Sequence, residues 1–160
     1  LAATGQGDHL WIGPTRTGRL VSRPAGASGI MSLRFSADGA RLAIGGDKGR
    51  IVIQHAQGGQ PELTIETHAG AVLCLAFSPD GKTLASGGED GEVHLWDPQA
   101  GCERLRLPVG GAIQYLDFSP DGRRLACGTD EGEIRIWRRE GSDVQNSILA
   151  EQRRAVPPSP

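Results

Sequence analysis

The sequence predicts an all-β fold built from a repeated unit of roughly 41 residues, and three observations support this prediction. Residues 35–39 recur, with one change, at 77–81 and again at 118–122 as Phe-Ser-Pro-Asp-Gly. Apolar residues alternate or form short runs, with a turn signal every eight to ten residues. Glycine provides 24 of the 160 residues, about twice its usual share, so many tight turns are expected.

The unit at residues 67–108 shows the predicted strand order most clearly. Four short strands are predicted there, at 72–78, 83–87, 92–96 and 103–107. Pro79 and Gly81 supply the backbone angles of a tight hairpin turn, and Asp90 with Gly91 does the same for the next hairpin. Four antiparallel strands per unit, repeated along the chain, are typical of the blades of a β-propeller.

The repeat also predicts the organisation of the chain. Because the opening copy matches the others only from its second strand onward, the chain holds about three and three-quarter units. The fourth strand of the last unit has a weak pattern, although residues 144–149 could form it. Residues 151–160, with proline at three of the last four positions, are predicted to be a tail or linker. The propeller segment is therefore 1–150, divided into units 1–25, 26–66, 67–108 and 109–150.

The third unit carries a family resemblance. Residues 84–97, which end in Trp96 and Asp97, resemble a repeat of the WD-repeat β-propeller family. The resemblance implies a hydrogen-bonded chain inside the blade, formed by His68, Ser86, Asp90 and Trp96. At these positions the second unit has Gly26, Ile44, Lys48 and Gln54, and the fourth has Val109, Cys127, Glu131 and Trp137. We therefore expect the other blades to rely on apolar packing and turn geometry and to be less rigid.

Composition and charge exclude several classes of function. The net charge is −2 with basic and acidic residues interspersed, so a nucleic-acid partner is not expected. No apolar run is long enough to cross a bilayer. The three cysteines, Cys74, Cys102 and Cys127, show neither a disulfide framework nor metal-ligand spacing, which favours a reducing compartment and a cytoplasmic location. No cofactor or metal site is predicted.

Catalysis is not predicted either. His68, Ser86 and Asp90 are the residue types of a serine hydrolase triad, but the chain has no Gly-x-Ser-x-Gly turn and Ser86 falls within a predicted strand. The other histidines, His9, His55 and His94, are isolated in sequence. Each is expected to be a solvated or locally bonded strand residue. The glycine-rich segments lack the patterns of phosphate-binding loops.

One surface feature remains as a candidate binding site. The register places Gln6, Asp47, Glu89 and Asp130 at one position of the hairpin between the second and third strands of successive units. If the units radiate from an axis, these residues form an arc on one face, called the acidic arc below. Such an arc could attract a basic protein or peptide, although ordinary hydrophilic turn tips would give the same pattern.

Fewer than four complete blades leave two apolar end faces that need covering. An upstream segment could supply the missing blades, a second copy of the chain could complete the ring, or a strained small ring could form alone. The resemblance implies a non-catalytic protein-interaction scaffold within a larger intracellular protein. Two alternatives stay open: a regulatory or substrate-gating propeller of a multidomain hydrolase, protease or kinase, and a stand-alone structural subunit of an assembly.

Overall fold

The computed structural model describes residues 2–57, 61–139 and 148–153, which form fifteen β-strands and no helix. No segment in these ranges is a helix of the length and apolarity that crossing a membrane requires. The strands form four antiparallel sheets in chain order. The first sheet holds β1 (Ala2–Gln6), β2 (His9–Gly13) and β3 (Val21–Pro24). The second holds β4 (Ile30–Phe35), β5 (Arg41–Gly46), β6 (Arg50–His55) and β7 (Pro61–Glu66). The third holds β8 (Val72–Phe77), β9 (Leu84–Gly88), β10 (Glu92–Trp96) and β11 (Glu103–Pro108). The fourth holds β12 (Ile113–Phe118), β13 (Arg124–Thr129), β14 (Ile134–Arg139) and β15 (Ile148–Arg153).

The four-stranded antiparallel units predicted from the repeat are confirmed, and each sheet is called a blade from here on. In the third blade every strand lies within one residue of its predicted bounds. The last blade differs from the prediction, because β15 runs to Arg153 and so includes residues 151–153, which were predicted to begin the tail. Its backbone pairs with β14, and this pairing overrides the weak apolar pattern of the segment. Residues 144–147 and 154–160 lie outside the described residues.

The first hairpin of each complete blade is stabilised by the same side-chain hydrogen bonds. In the third blade, the Ser78 hydroxyl donates to Asp80 Oδ1 at 2.6 Å, and the Lys82 amide donates to the same oxygen at 3.0 Å. The corresponding serine and aspartate bond alike in the second and fourth blades. Short polar side chains that bond nearby backbone amides favour turns over strands. The repeated Phe-Ser-x-Asp-Gly segment therefore ends one strand and begins the next.

Neighbouring blades are joined by a backbone hydrogen bond that recurs at each junction. The amides of Ala25, Thr67 and Val109 donate to the carbonyls of Asp8, Gly49 and Gly91, at 2.9 Å in every case. Gly91 has φ of +75°, and a Cβ on this residue would overlap the carbonyl oxygen of Gly110. A side chain at position 91 would therefore push the entering loop of the fourth blade away from the third.

The core lies between the blades rather than within one sheet. Three clusters of buried apolar side chains lie between the blades. One packs the first blade against the second, one the second against the third, and one the third against the fourth. Leu84 at the centre of one cluster is fully buried, as is Leu42 at the same repeat position in another. Each blade therefore buries its faces only against its neighbours, as stacked repeats do.

The outer face of the fourth blade is open in the part of the chain that the structure describes. Ile134 is 47% exposed, whereas Ile51 and Val93, at the same repeat position, are fully buried. Tyr115 is 77% exposed, whereas its counterpart Cys74 contacts the next blade. The extensive contacts between described blades run from first to fourth in order and do not close into a ring. The arrangement is that of a partial propeller.

Candidate functional site

The structure brings together the four side chains of the predicted chain in the third blade. His68 lies in the loop before β8, Ser86 on β9, Asp90 in the following hairpin turn and Trp96 on β10. His68 Nδ1 is 2.9 Å from Asp90 Oδ1, and His68 Nε2 is 2.9 Å from Ser86 Oγ. The Trp96 indole N–H donates to Ser86 Oγ at 3.0 Å. This set of residues therefore fastens the loop, the two central strands and the hairpin to one another.

Every N–H and O–H group that takes part in this hydrogen-bonded set of side chains has an acceptor if His68 is neutral. Trp96 donates to the Ser86 oxygen, the Ser86 hydroxyl donates to His68 Nε2, and His68 Nδ1–H donates to Asp90. Burial lowers the pKa of His68, and the opposing effect of Asp90 offsets only part of that shift. The environment therefore favours the neutral imidazole that the bonding pattern requires.

Asp90 also holds the loop backbone. Its carboxylate accepts hydrogen bonds from the amides of Ala69 at 3.0 Å and Glu92 at 3.2 Å. Burial alone would raise the pKa of Asp90, but the hydrogen bonds from His68 and these amides outweigh it and lower the pKa. The carboxylate is therefore ionised and accepts hydrogen bonds both from the loop before β8 and from the hairpin.

His94 is a member of this cluster that the sequence analysis missed. It is 1% exposed, lies between the carboxylates of Glu92 and Glu103 at 3.1 and 2.9 Å, and stacks on Trp96. The expectation of a locally bonded strand residue holds for His94, but a solvated one does not. The repeat gave no indication of this role, since the other complete blades have valine and arginine at the position of His94. Glu92 two residues away, on the same side of β10, was the available clue.

The geometry explains why this triad-like set is structural. Ser86 is fully buried, and its oxygen already accepts the Trp96 N–H. A nucleophilic serine needs an exposed oxygen that a substrate can reach. The buried thiols are also poorly suited to act as nucleophiles, because burial raises the pKa of Cys74 to about 12 and also raises that of Cys127. The three residues do form the bonds of a triad, but they hold the blade together.

His68, Asp90 and His94 also place ligand atoms within 4.8 Å of one another, the spacing of a metal site. A metal ion on His68 Nδ1 would displace its bond to Asp90 and move the ring proton to Nε2. Ser86 would then face two N–H donors, and its own hydroxyl hydrogen would lose its acceptor. A buried unsatisfied donor costs about 1–3 kcal/mol. Metal binding would thus compete with the hydrogen-bonded chain, and the absence of a metal site stays a prediction.

In the fourth blade, a different residue holds the loop that precedes the first strand. Arg135, at the repeat position of His94, donates to the carbonyls of Pro108 at 3.1 Å and Val109 at 2.6 Å. It also bonds Glu133 at 2.7 Å. The expectation that this blade relies on apolar packing and turn geometry is therefore wrong, because a guanidinium holds its entering loop. In the second blade, the positions of Ser86 and His94 are held by Ile44 and Val52, which are both fully buried apolar residues.

The acidic arc places Asp47, Glu89 and Asp130 on one face, all three exposed; the side chain of Gln6 is not described. Each acidic side chain also lies near the loop before the first strand of its own blade. Asp47 accepts from the Ser28 hydroxyl at 3.1 Å and Glu89 from the Ala71 amide at 3.1 Å. Asp47 and Glu89 therefore each have a structural contact as well as an exposed carboxylate.

Comparisons with known proteins agree with this architecture. The family model "WD domain, G-beta repeat" matches residues 18–53, 59–97 and 107–138. No curated protein matches the sequence. Solved structures similar to this chain include the mitotic checkpoint complex, with 22% identity and a TM-score of 0.77 over 85% of this chain. Others are the RRP9 WD40 repeats, with 22% identity and a TM-score of 0.66 over 69%, and U3-55K, with 21% and 0.69 over 78%. This chain spans 42%, 35% and 39% of those chains, in the same order.

Proposed function

The chain belongs to the WD40 repeat family, whose propellers are generally non-catalytic protein-interaction scaffolds, and from that premise we propose that it binds a basic protein segment through its acidic arc. The observation that carries this proposal is the exposure of Asp47, Glu89 and Asp130 at one repeat position of adjacent blades. In this proposal the chain is part of a larger cytoplasmic protein whose other blades extend the same face. The three unpaired cysteines support a reducing compartment.

The structural contacts of the arc do not use up its carboxylates. An ionised carboxylate has about four acceptor positions, and the contacts of Asp47 and Glu89 each use one oxygen. The bonds from Ser28 and Ala71 restrain the side chains of Asp47 and Glu89, so a lysine or arginine of a partner would meet carboxylates that are already positioned. Pre-positioned groups bind with a smaller loss of conformational entropy. Rim charges of this kind mainly raise the association rate and make it depend on salt.

Neutralising the arc tests this proposal without removing its structural bonds. The triple variant Asp47→Asn, Glu89→Gln and Asp130→Asn keeps a side-chain oxygen at each position, so the bonds from Ser28 and Ala71 can persist. We expect it to bind a fluorescein-labelled Lys/Arg-rich peptide roughly tenfold more weakly than the wild-type chain in low salt. Fluorescence anisotropy measures the binding, and circular dichroism checks that the variant is folded.

A control variant removes the same charge from exposed strand positions: Glu62→Gln, Glu66→Gln and Asp117→Asn. This control is expected to bind the peptide nearly as well as the wild-type chain. Equal weakening by the two triple variants would show that net charge alone attracts the peptide. Unchanged binding by the arc variant would contradict the proposal directly.

A further inference from the structure

The first strand of each complete blade contains a β-bulge at the same place. In the third blade, the register between β8 and β9 shifts between Val72 and Cys74, so Leu73 is an extra residue without a partner on β9. The same shift leaves Met31 as the extra residue of β4 and Gln114 as that of β12. Bulges are frequent at sheet edges, where they change the direction of a side chain. These three residues are called the bulge positions below.

Two of the bulge positions hold apolar side chains that lie outside the core. Met31 is 51% exposed. Leu73 is the stronger observation, because its blade packs against a neighbour on each side and the side chain is still partly exposed. Leu73 also belongs to none of the three apolar clusters that the described residues form, whereas Val72 and Leu75 of the same strand are fully buried. Apolar surface therefore remains uncovered at the bulge positions of the second and third blades.

The bulge positions lie beside the acidic arc. In each complete blade, the backbone amide of the arc residue donates to a carbonyl two or three residues before the bulge position. These bonds run from Asp47, Glu89 and Asp130 to Ser28, Ala71 and Ala112, at 3.2, 3.1 and 3.0 Å. Three residues of extended chain span at most about 11 Å, so one bound segment of a few residues reaches both a carboxylate and a bulge position. The surface therefore offers a partner acidic and apolar groups together.

Charge and polarity change together along this surface. In the second blade, the arc residue Asp47 is followed by the exposed Lys48, whereas in the fourth blade Asp130 is followed by the exposed Glu131. The bulge position is apolar in the second and third blades, but in the fourth it is the exposed Gln114. The apolar part of the surface therefore lies on the second and third blades, and the fourth blade adds two exposed carboxylates.

We propose, as an inference that rests on the function proposed above, that the basic segment bound by the acidic arc carries a large apolar side chain that packs against Met31 and Leu73. Its lysines and arginines face Glu89, Asp130 and Glu131. Binding removes apolar surface of both partners from water, while the charged groups orient the segment. The arc alone would accept any basic segment, whereas the bulge positions select segments that have an apolar residue beside the basic ones.

Two fluorescein-labelled peptides test this proposal on the 160-residue chain. Both contain a run of lysine and arginine, and they differ only in having leucine or serine at the two positions that flank this run. We expect the wild-type chain to bind the leucine peptide roughly tenfold more tightly in fluorescence anisotropy. The variant Met31→Gln with Leu73→Gln gives the second and third blades the residue of the fourth. It should lose this preference and still bind the serine peptide as the wild-type chain does.

A matched control is Leu20→Gln with Val21→Gln, which removes two exposed apolar side chains at the start of β3. This control should keep the preference for the leucine peptide. Met31→Gln alone, at an exposed position, gives a second test if the double variant does not fold, and it should reduce the preference.

Equal binding of the two peptides by the wild-type chain, or loss of the preference in the control as well, would overturn this inference alone. Binding of both peptides that the neutralised arc variant leaves unchanged would overturn the proposed function, and this inference with it. Self-association of the wild-type chain that the double glutamine variant abolishes would overturn the inference in favour of a second copy of the chain on the same surface. Size-exclusion chromatography with light scattering measures that outcome.

Discussion

The third and fourth blades hold their entering loops by different chemistry. In the third, a neutral imidazole, a hydroxyl, an indole and a carboxylate form one buried chain around His68. In the fourth, the guanidinium of Arg135 donates directly to the loop carbonyls of Pro108 and Val109. Both loops need support because each carries backbone groups that must be hydrogen-bonded. Both blades thus hold the loop before their first strand at the same place, but they use different residues to do so.

The two solutions differ in how they depend on protonation. The chain in the third blade requires a neutral His68, whereas a guanidinium stays charged at all accessible pH values. The third blade also places more of its polar groups out of water, so the loss of one partner leaves others unsatisfied. Substitutions and pH should therefore affect the two blades unequally.

The largest effect is expected for Ser86→Ala. This change leaves the Trp96 N–H and His68 Nε2 without partners in a fully buried site, which should lower the free energy of unfolding by about 3 kcal/mol. Urea denaturation measures the loss. Cys127→Ala, at the same position of the fourth blade, is the matched control and should cost about 1 kcal/mol through a small cavity. Equal losses in the two variants would mean that the hydrogen bonds of Ser86 contribute no stability beyond that of side-chain packing.

A smaller effect is expected for Arg135→Met. The loop carbonyls of Pro108 and Val109 lose a charged donor, which should lower the free energy of unfolding by about 2 kcal/mol. Hydrogen exchange should speed up at the amides of Val109 and Gly110, which bond the Gly91 carbonyl. The amides of Thr67 and His68 at the preceding junction serve as the internal control. Faster exchange at both junctions alike would contradict a local role for Arg135.

The smallest effect is a pH dependence assigned to the third blade. Burial lowers the pKa of His68, so below its unfolded value of about 6.5 the unfolded chain binds a proton that the folded chain does not. Stability should therefore fall as the pH drops from about 7.5 to 5.5, by at most about 1.4 kcal/mol per pH unit from this residue. Denaturation midpoints of wild type and His68→Gln measure it. The variant should show a shallower slope, and identical slopes would refute the assignment.

The repeat in the sequence predicted the blades, and the resemblance to the WD-repeat family predicted the hydrogen-bonded chain of the third one. A repeat compares each segment with copies of itself, so turn residues such as Asp80 and Gly81 stand out from their background. His94 and Arg135 were not found, because residues that differ between copies leave no repeated signal. Their roles depend on which groups a neighbouring strand or loop brings close, and sequence spacing does not give that distance.

The sequence by itself therefore determined the strand pattern, the turn positions and the number of units, since these depend on local backbone angles and on the period of apolar residues. Only the tertiary structure decided how each loop is held and which face lies open. Ile134 shows the reason: the same kind of residue is buried in two blades and exposed in the fourth. Burial belongs to the contact between blades, and a contact requires both surfaces to be in place.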